Sequence, residues 1–221
     1  MESQLPVDLI ARINQCAVIA VLVVDQPRDA VPLARALLSG GIDVMELTLR
    51  TPAAIEALRL IRGEVPQMLA GIGTILTPQQ VEDVVSAGAA FGVAPGTNPR
   101  VIEAAQHHGL PFAPGIATPT DLELALELGC RDVKFFPAEP CGGLKYLQSL
   151  AAPYAHLGVN YIPLGGVSPQ NLGDYLAEPM ILAVGGSWLA PRALIQQADW
   201  SGITARAATA RDTADRIRLS Q

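Results

Sequence analysis

The chain has 221 residues, 50% hydrophobic and only 16% charged, where about 25% charged is usual; that balance excludes disorder and allows one large domain or two small ones. Fifteen Lys and Arg against twenty-one Asp and Glu give a net charge of −6, with aromatics at 5%, so no basic, aromatic face is offered to nucleic acid. The longest apolar run, 16–24, is nine residues, where a membrane-spanning helix needs about twenty. Met1-Glu2-Ser3-Gln4 lacks the positive start of a signal peptide. Cys16, Cys130 and Cys141 have the spacing of neither a disulfide framework nor a zinc site. These features predict a soluble protein of a reducing compartment.

Short apolar runs alternate with helix-like stretches from end to end. Strands are predicted at 17–24, 44–49, 68–71, 91–94, 112–114, 132–136, 161–164 and 181–184, with helical spacing between them, as at Val31, Leu33, Ala34, Ala36, Leu37 and Leu38. Thr51-Pro52, Thr77-Pro78, Asn98-Pro99 and Ser168-Pro169 each put a capping side chain before a proline suited to a first helical turn. Gly40, Gly88, Gly109 and Gly129 follow periodic stretches, where a left-handed helix stop is needed. Strands joined through helices must run parallel. About eight such units predict an α/β fold, a (β/α)8 TIM barrel with a short N-terminal helix over 8–14, as a single domain over 1–221. A doubly wound open sheet is the alternative.

Some polar residues sit where a strand should be apolar. In 44–50, alternation puts Glu46, Thr48 and Arg50 on one face and Met45, Leu47 and Leu49 on the other. The apolar face must pack on helices, so the polar one points inwards. Buried charges are costly unless they are paired or used in chemistry. Glu46 and Arg50 are therefore either a structural pair or catalytic groups. Lys134 lies mid-strand among apolar neighbours in 132–137. Burial and a cation such as Arg50 would favour its neutral, nucleophilic form, with Glu46 opposing. A snorkelling lysine or an anion anchor is the blander reading, and the combination with Glu46 favours the first.

Gly165-Gly166 ends the seventh strand and Gly185-Gly186-Ser187 the eighth. Barrel enzymes often bind phosphate with backbone N–H groups there, aided by following helix N-termini. Thr74 and Thr118 lie just past strands three and five, the second more suited to a helix cap. His107 and His108 point about 100° apart on a helix and, with His156, are read as surface residues. No metal-ligand spacing and no cofactor fingerprint appears, so neither metal nor cofactor is expected.

Glu46-Leu47-Thr48-Leu49-Arg50-Thr51, Gly71-Ile72-Gly73-Thr74, Lys134-Phe135-Phe136-Pro137-Ala138-Glu139, Gly165-Gly166-Val167-Ser168-Pro169 and Gly186-Ser187-Trp188-Leu189 together resemble the 2-keto-3-deoxy-6-phosphogluconate aldolase family, whose members often also act on 4-hydroxy-2-oxoglutarate. The likeness runs over about residues 10–217 with the motifs in order. It implies that Lys134 is a Schiff-base lysine and Glu46 a proton shuttle. It implies that Arg50 and Thr74 hold a pyruvate carboxylate and that Phe136 lies beside the substrate. Gly165, Gly166, Gly186 and Ser187 would bind phosphate. A cytoplasmic, metal-free homotrimer acting on a phosphorylated 2-keto acid is implied as well. One departure stands out: Leu164 replaces a threonine common before the paired glycines, and so puts fine substrate preference in question.

The expected activity is therefore class I aldol cleavage of 2-keto-3-deoxy-6-phosphogluconate to pyruvate and glyceraldehyde 3-phosphate. The alternatives are a sister aldolase for the 6-phosphogalactonate epimer or for hydroxy-oxoglutarate, a phosphosugar isomerase or epimerase using Glu46 as base, and a non-enzymatic phosphometabolite-binding protein.

Overall fold

The structure, a computed structural model, describes residues 5–219; Met1-Glu2-Ser3-Gln4, read above for a leader, lies outside the described residues. Chain order runs α1 (Val7–Cys16), β1 (Val18–Leu22), α2 (Ala30–Ser39), β2 (Val44–Thr48), α3 (Ala54–Glu64), β3 (Leu69–Gly73), α4 (Pro78–Ser86) and β4 (Gly92–Val93). It continues through α5 (Pro99–His107), β5 (Phe112–Ala113), β6 (Gly115–Ile116), α6 (Pro119–Glu127), β7 (Asp132–Phe135), α7 (Gly143–Ala151) and β8 (Asn160–Pro163). The last elements are α8 (Leu172–Leu176), β9 (Val184–Gly186), α9 (Arg192–Gln196) and α10 (Trp200–Arg218). Among the described residues no helix is long and apolar enough to cross a membrane.

Strands and helices alternate as expected, and the strands of each sheet pair in parallel. The closed eight-stranded barrel does not form. Six strands make one sheet in the order β5-β4-β3-β2-β1-β9, and β6-β7-β8 make a second. The break falls at Pro114, in the segment expected to be a single fifth strand. Ala113 before it pairs with β4 and Gly115 after it pairs with β7, because proline has no N–H to carry one ladder through. Its carbonyl still accepts from the Lys134 N–H at 2.9 Å. On the other side only isolated bridges, Tyr161 to Ile181 and Leu164 to Gly185, join the sheets. There Gly165 and Gly166, both at φ +91°, turn the chain out of the ladder.

The helices bury one apolar stripe each on the outer faces, as α2 does with Ala30, Val31, Leu33, Ala34, Ala36 and Leu37. α10 lies so close to the end of α2 that a Cβ on Gly40 would sit 2.5 Å from Ala207 Cβ. Gly40 therefore serves that approach rather than a left-handed stop; the stop is Gly41, at φ +82°. Gly88, Gly109 and Gly129 do take positive φ. Thr77 and Thr118 close capping boxes on α4 and α6, and Asn98 caps α5. Thr51 and Ser168 do not cap. Thr51 Oγ1 donates instead to Val24 O, and Ser168 precedes a turn before α8.

The predicted N-terminal helix is α1. It runs into the amino end of β1 through Ala17, and it buries Leu9, Ile13 and Cys16. Leu5, Ile13, Ile19, Phe91, Ala113 and Ile162 surround a cavity of about 20 Å³ that also touches Glu46 and Lys134. An apolar floor thus lies under the two charged side chains.

Candidate active site

Glu46 is the middle residue of β2 and Lys134 the third residue of β7. Strand alternation aims both away from the helices, and they are 2% and 6% exposed. Lys134 Nζ lies 3.1 Å from Glu46 Oε1 and 3.3 Å from Oε2. Isolated, either charge would be costly to bury; paired and hydrogen-bonded, each satisfies the other. The same Nζ stands 5.3 Å from the Phe136 ring centroid. Thr48, next on the inward face, donates to Leu22 O at 2.9 Å, which fixes β2 against β1.

The pair forms the floor of a cleft of about 210 Å³ at the carboxyl ends of the strands. All nine residues singled out in the sequence line it: Glu46, Arg50, Thr74, Lys134, Phe136, Gly165, Gly166, Gly186 and Ser187. Arg50 differs from expectation in one respect. β2 ends at Thr48, so Arg50 is in the following turn and exposed at the mouth. It makes no ion pair among the described residues, so the structural Glu–Arg pair is replaced by Glu46–Lys134 with a guanidinium left open to the cleft. Thr74 sits just past β3 at φ +62°, a conformation uncommon for a non-glycine residue and one that holds its hydroxyl at the cleft.

The two glycine loops meet in the same cleft, next to the Leu164–Gly185 bridge. Among the described residues, the N–H groups of Gly166 and Ser187 donate no hydrogen bond to the protein. A Cβ on Gly186 would fall 1.5 Å from the Trp188 ring, so only glycine fits. The helices that follow, α8 and α9, have five residues each and begin several residues further on; the anion-binding capacity here is that of the loop amides.

One residue of the site stands in the sequence only as part of the Gly71–Thr74 motif, with no role assigned to it. A Cβ on Gly73 would lie 1.8 Å from Glu46 Oε1; its bare backbone is the space the carboxylate occupies. The clue was a glycine on the strand neighbouring an inward acid. Leu164, in contrast, is buried against Gly185 and lines the cleft with an apolar surface. No group of three or more His, Cys, Asp or Glu side chains among the described residues is placed to hold a metal ion.

A buried lysine hydrogen-bonded to a carboxylate, in a cleft also lined by a guanidinium and by glycine-loop amides, is an arrangement suited to nucleophilic attack on the carbonyl of an anionic substrate. The fold and cleft are those of an α/β protein of carbonyl chemistry. The sequence profile described as KDPG and KHG aldolase matches residues 9–206. A 2-dehydro-3-deoxy-phosphogluconate aldolase of Treponema pallidum is 47% identical over 193 residues, 87% of this chain and 91% of that protein. The KHG/KDPG aldolase of Escherichia coli is 44% identical over 187 residues, 85% and 87% of the two chains. The solved KDPG aldolase of Legionella pneumophila, with pyruvate captured at low pH as a covalent carbinolamine intermediate, superposes with a TM-score of 0.87 at 40% identity, over 91% of this chain and 97% of that one. The chain belongs to the KDPG and KHG aldolase family.

Proposed function

We propose that the chain is a class I aldolase that cleaves 2-keto-3-deoxy-6-phosphogluconate to pyruvate and glyceraldehyde 3-phosphate through a Schiff base on Lys134, and that it also cleaves 4-hydroxy-2-oxoglutarate to pyruvate and glyoxylate. The observation that carries this reading is the buried 3.1 Å contact between Lys134 Nζ and Glu46 Oε1. The neutral amine attacks the C2 ketone, and Glu46 returns the proton to the oxygen as carbinolamine loses water to give the iminium. The C4 hydroxyl then gives its proton to Glu46 through a water. The C3–C4 bonding pair moves into the iminium, the aldehyde leaves, and an enamine remains. Protonation at C3 and hydrolysis release pyruvate and regenerate the amine.

Arg50 receives the carboxylate through two parallel N–H donors, with the Thr74 hydroxyl beside it. Phe136 packs against the pyruvoyl carbons, and the loops of Gly165, Gly166, Gly186 and Ser187 take the phosphate, with the Gly166 and Ser187 N–H groups as donors. The chain acts as one catalytic domain, and the family resemblance adds a cytoplasmic homotrimer, which light scattering and fractionation read directly. Pyruvate release from the phosphorylated keto acid tests the activity: the parent turns over and Lys134→Ala does not. Near-parental turnover by Lys134→Ala overturns the mechanism. Leu164 offers the C4 region no hydroxyl, so relative rates on the gluconate, the galactonate epimer and hydroxy-oxoglutarate decide the preferred substrate.

A further inference from the structure

We propose that Glu139 and Tyr175 form a positioning pair that sets the Gly165–Gly166 loop for a phosphorylated substrate, by supporting the loop from beneath and holding the Glu139 carboxylate away from the anion. The proposal rests on the reading that this loop receives the substrate phosphate.

After β7 the chain passes under the glycine loop. The N–H groups of Ala138 and Glu139 donate to the carbonyls of Leu164 and Gly165 at 2.7 and 2.9 Å. Those carbonyls are thereby tied down. The Glu139 stem then runs directly below Gly166, where an added Cβ would meet Glu139 Cβ at 2.5 Å and Cγ at 2.6 Å. The carboxylate turns the other way. Its Oε1 lies 3.1 Å from the corresponding position on Gly143 and accepts the Tyr175 O–H at 2.5 Å. On the far side, Asn171 accepts from the Ser168 N–H at 2.8 Å and reaches Gly166 O at 3.4 Å.

The contrast in burial gives the contact its meaning. Glu139 is exposed, and a solvated carboxylate has little need of a partner. Tyr175 is only 1% exposed, and its hydroxyl emerges from the core to hold that carboxylate in one orientation. Burial and the carboxylate itself push the phenol well above its usual range, so it stays a donor at any pH the enzyme meets. Without the phenol, a free carboxylate next to the phosphate loop would repel a dianion. 4-Hydroxy-2-oxoglutarate ends instead in a C5 carboxylate, one negative charge on a shorter arm than the phosphate, and is repelled less.

A double-mutant cycle in the full chain tests the pair, with KM and kcat measured on 2-keto-3-deoxy-6-phosphogluconate and on 4-hydroxy-2-oxoglutarate. Loss of one charge-assisted hydrogen bond sets the expected scale: Tyr175→Phe raises KM for the phosphorylated substrate about tenfold, and moves its kcat and the KM of the other substrate by less than about twofold. Adding Glu139→Gln recovers most of that loss, because the released group is then neutral. Equal weakening of both substrates, or a double variant no better than Tyr175→Phe, overturns the proposal. If Tyr175→Phe fails to fold, Glu139→Ala at the exposed position carries the test; it cuts the stem under Gly166 back to its Cβ and is expected to weaken the phosphorylated substrate alone. Inorganic phosphate, as a competitor of the parent protein, separates the two levels. Competition by phosphate with no effect of either variant sinks the pair alone, whereas absence of competition sinks the phosphate site and the pair with it.

Discussion

Gly73→Ala places one methyl group where the Glu46 carboxylate now lies. The new Cβ would be 1.8 Å from Oε1, 2.5 Å from Cδ and 2.8 Å from Cγ, so Oε1 must move by at least 1.2 Å to reach the 3.0 Å that real Cβ contacts essentially never undercut (3.0 − 1.8 Å). Gly73 has no positive φ, and alanine is compatible with its backbone. The carboxylate is 3% exposed and has only the cleft to move into, away from its 3.1 Å contact with Lys134. A displacement of about 1 Å in a reacting group can cost roughly 10²-fold, so kcat should fall about that far on phosphorylated and unphosphorylated substrates alike. Crowding the site should also cost about 1–3 kcal/mol of stability. Gly71→Ala is the control. Its methyl would meet the Phe91 ring at 2.4 Å, which stresses the core without touching Glu46. Steady-state kinetics with thermal melts on both variants give the answer. The reasoning is refuted if Gly73→Ala keeps parental kcat, or if Gly71→Ala loses as much at equal loss of stability.

Arg50→Lys keeps the charge at the mouth and removes the forked donor, so KM for the keto acid should rise about tenfold with a smaller change in kcat; steady-state kinetics read both. Asp25, after β1, accepts from Arg192 Nε at 2.8 Å and from Gln196 Nε2 at 2.8 Å, and the Arg192 hydrogen bond, followed by that of Gln196, lowers its carboxyl from 3.8 to about 2. Because the folded value lies below the unfolded one, this contribution is complete above pH 3.8 and disappears as pH falls towards 2. Asp25→Asn should therefore flatten the dependence of Tm on pH in that window alone, and an unchanged slope contradicts the assignment.

What could be read in the sequence was local. Period-two alternation located Glu46, Thr48 and Lys134 on inward faces, because one residue of register would have driven Met45 and Leu47 into the cleft. Proline and cap pairs marked the starts of α4 and α5. What depends on contacts between distant segments was less legible. Pro114 looked like the end of one strand, and the split it causes follows from which neighbour each half pairs with. Gly40 and Gly73 read as punctuation or as motif, while their work is to admit Ala207 of α10 and the carboxylate of Glu46. The alternation of faces carries on to Arg50, one residue past the predicted strand 44–49. The strand ends at Thr48, after which Leu49 N still bonds to Gly73 O but the chain has begun to turn. The Tyr175–Glu139 contact joins α8 to the turn after β7 and has no local signature at all.

The chain has two lysines, Lys134 and Lys145, of which Lys134 is buried beside Glu46 and Lys145 is exposed on α7. That makes one measurement decisive for the Schiff base. Incubation with pyruvate and sodium borohydride, followed by intact-mass and peptide mass spectrometry, should add one reduced pyruvate to the peptide carrying Lys134 and none to that carrying Lys145, and Lys134→Ala should take up none. Folded protein that gains no adduct, or gains it at Lys145, contradicts the account.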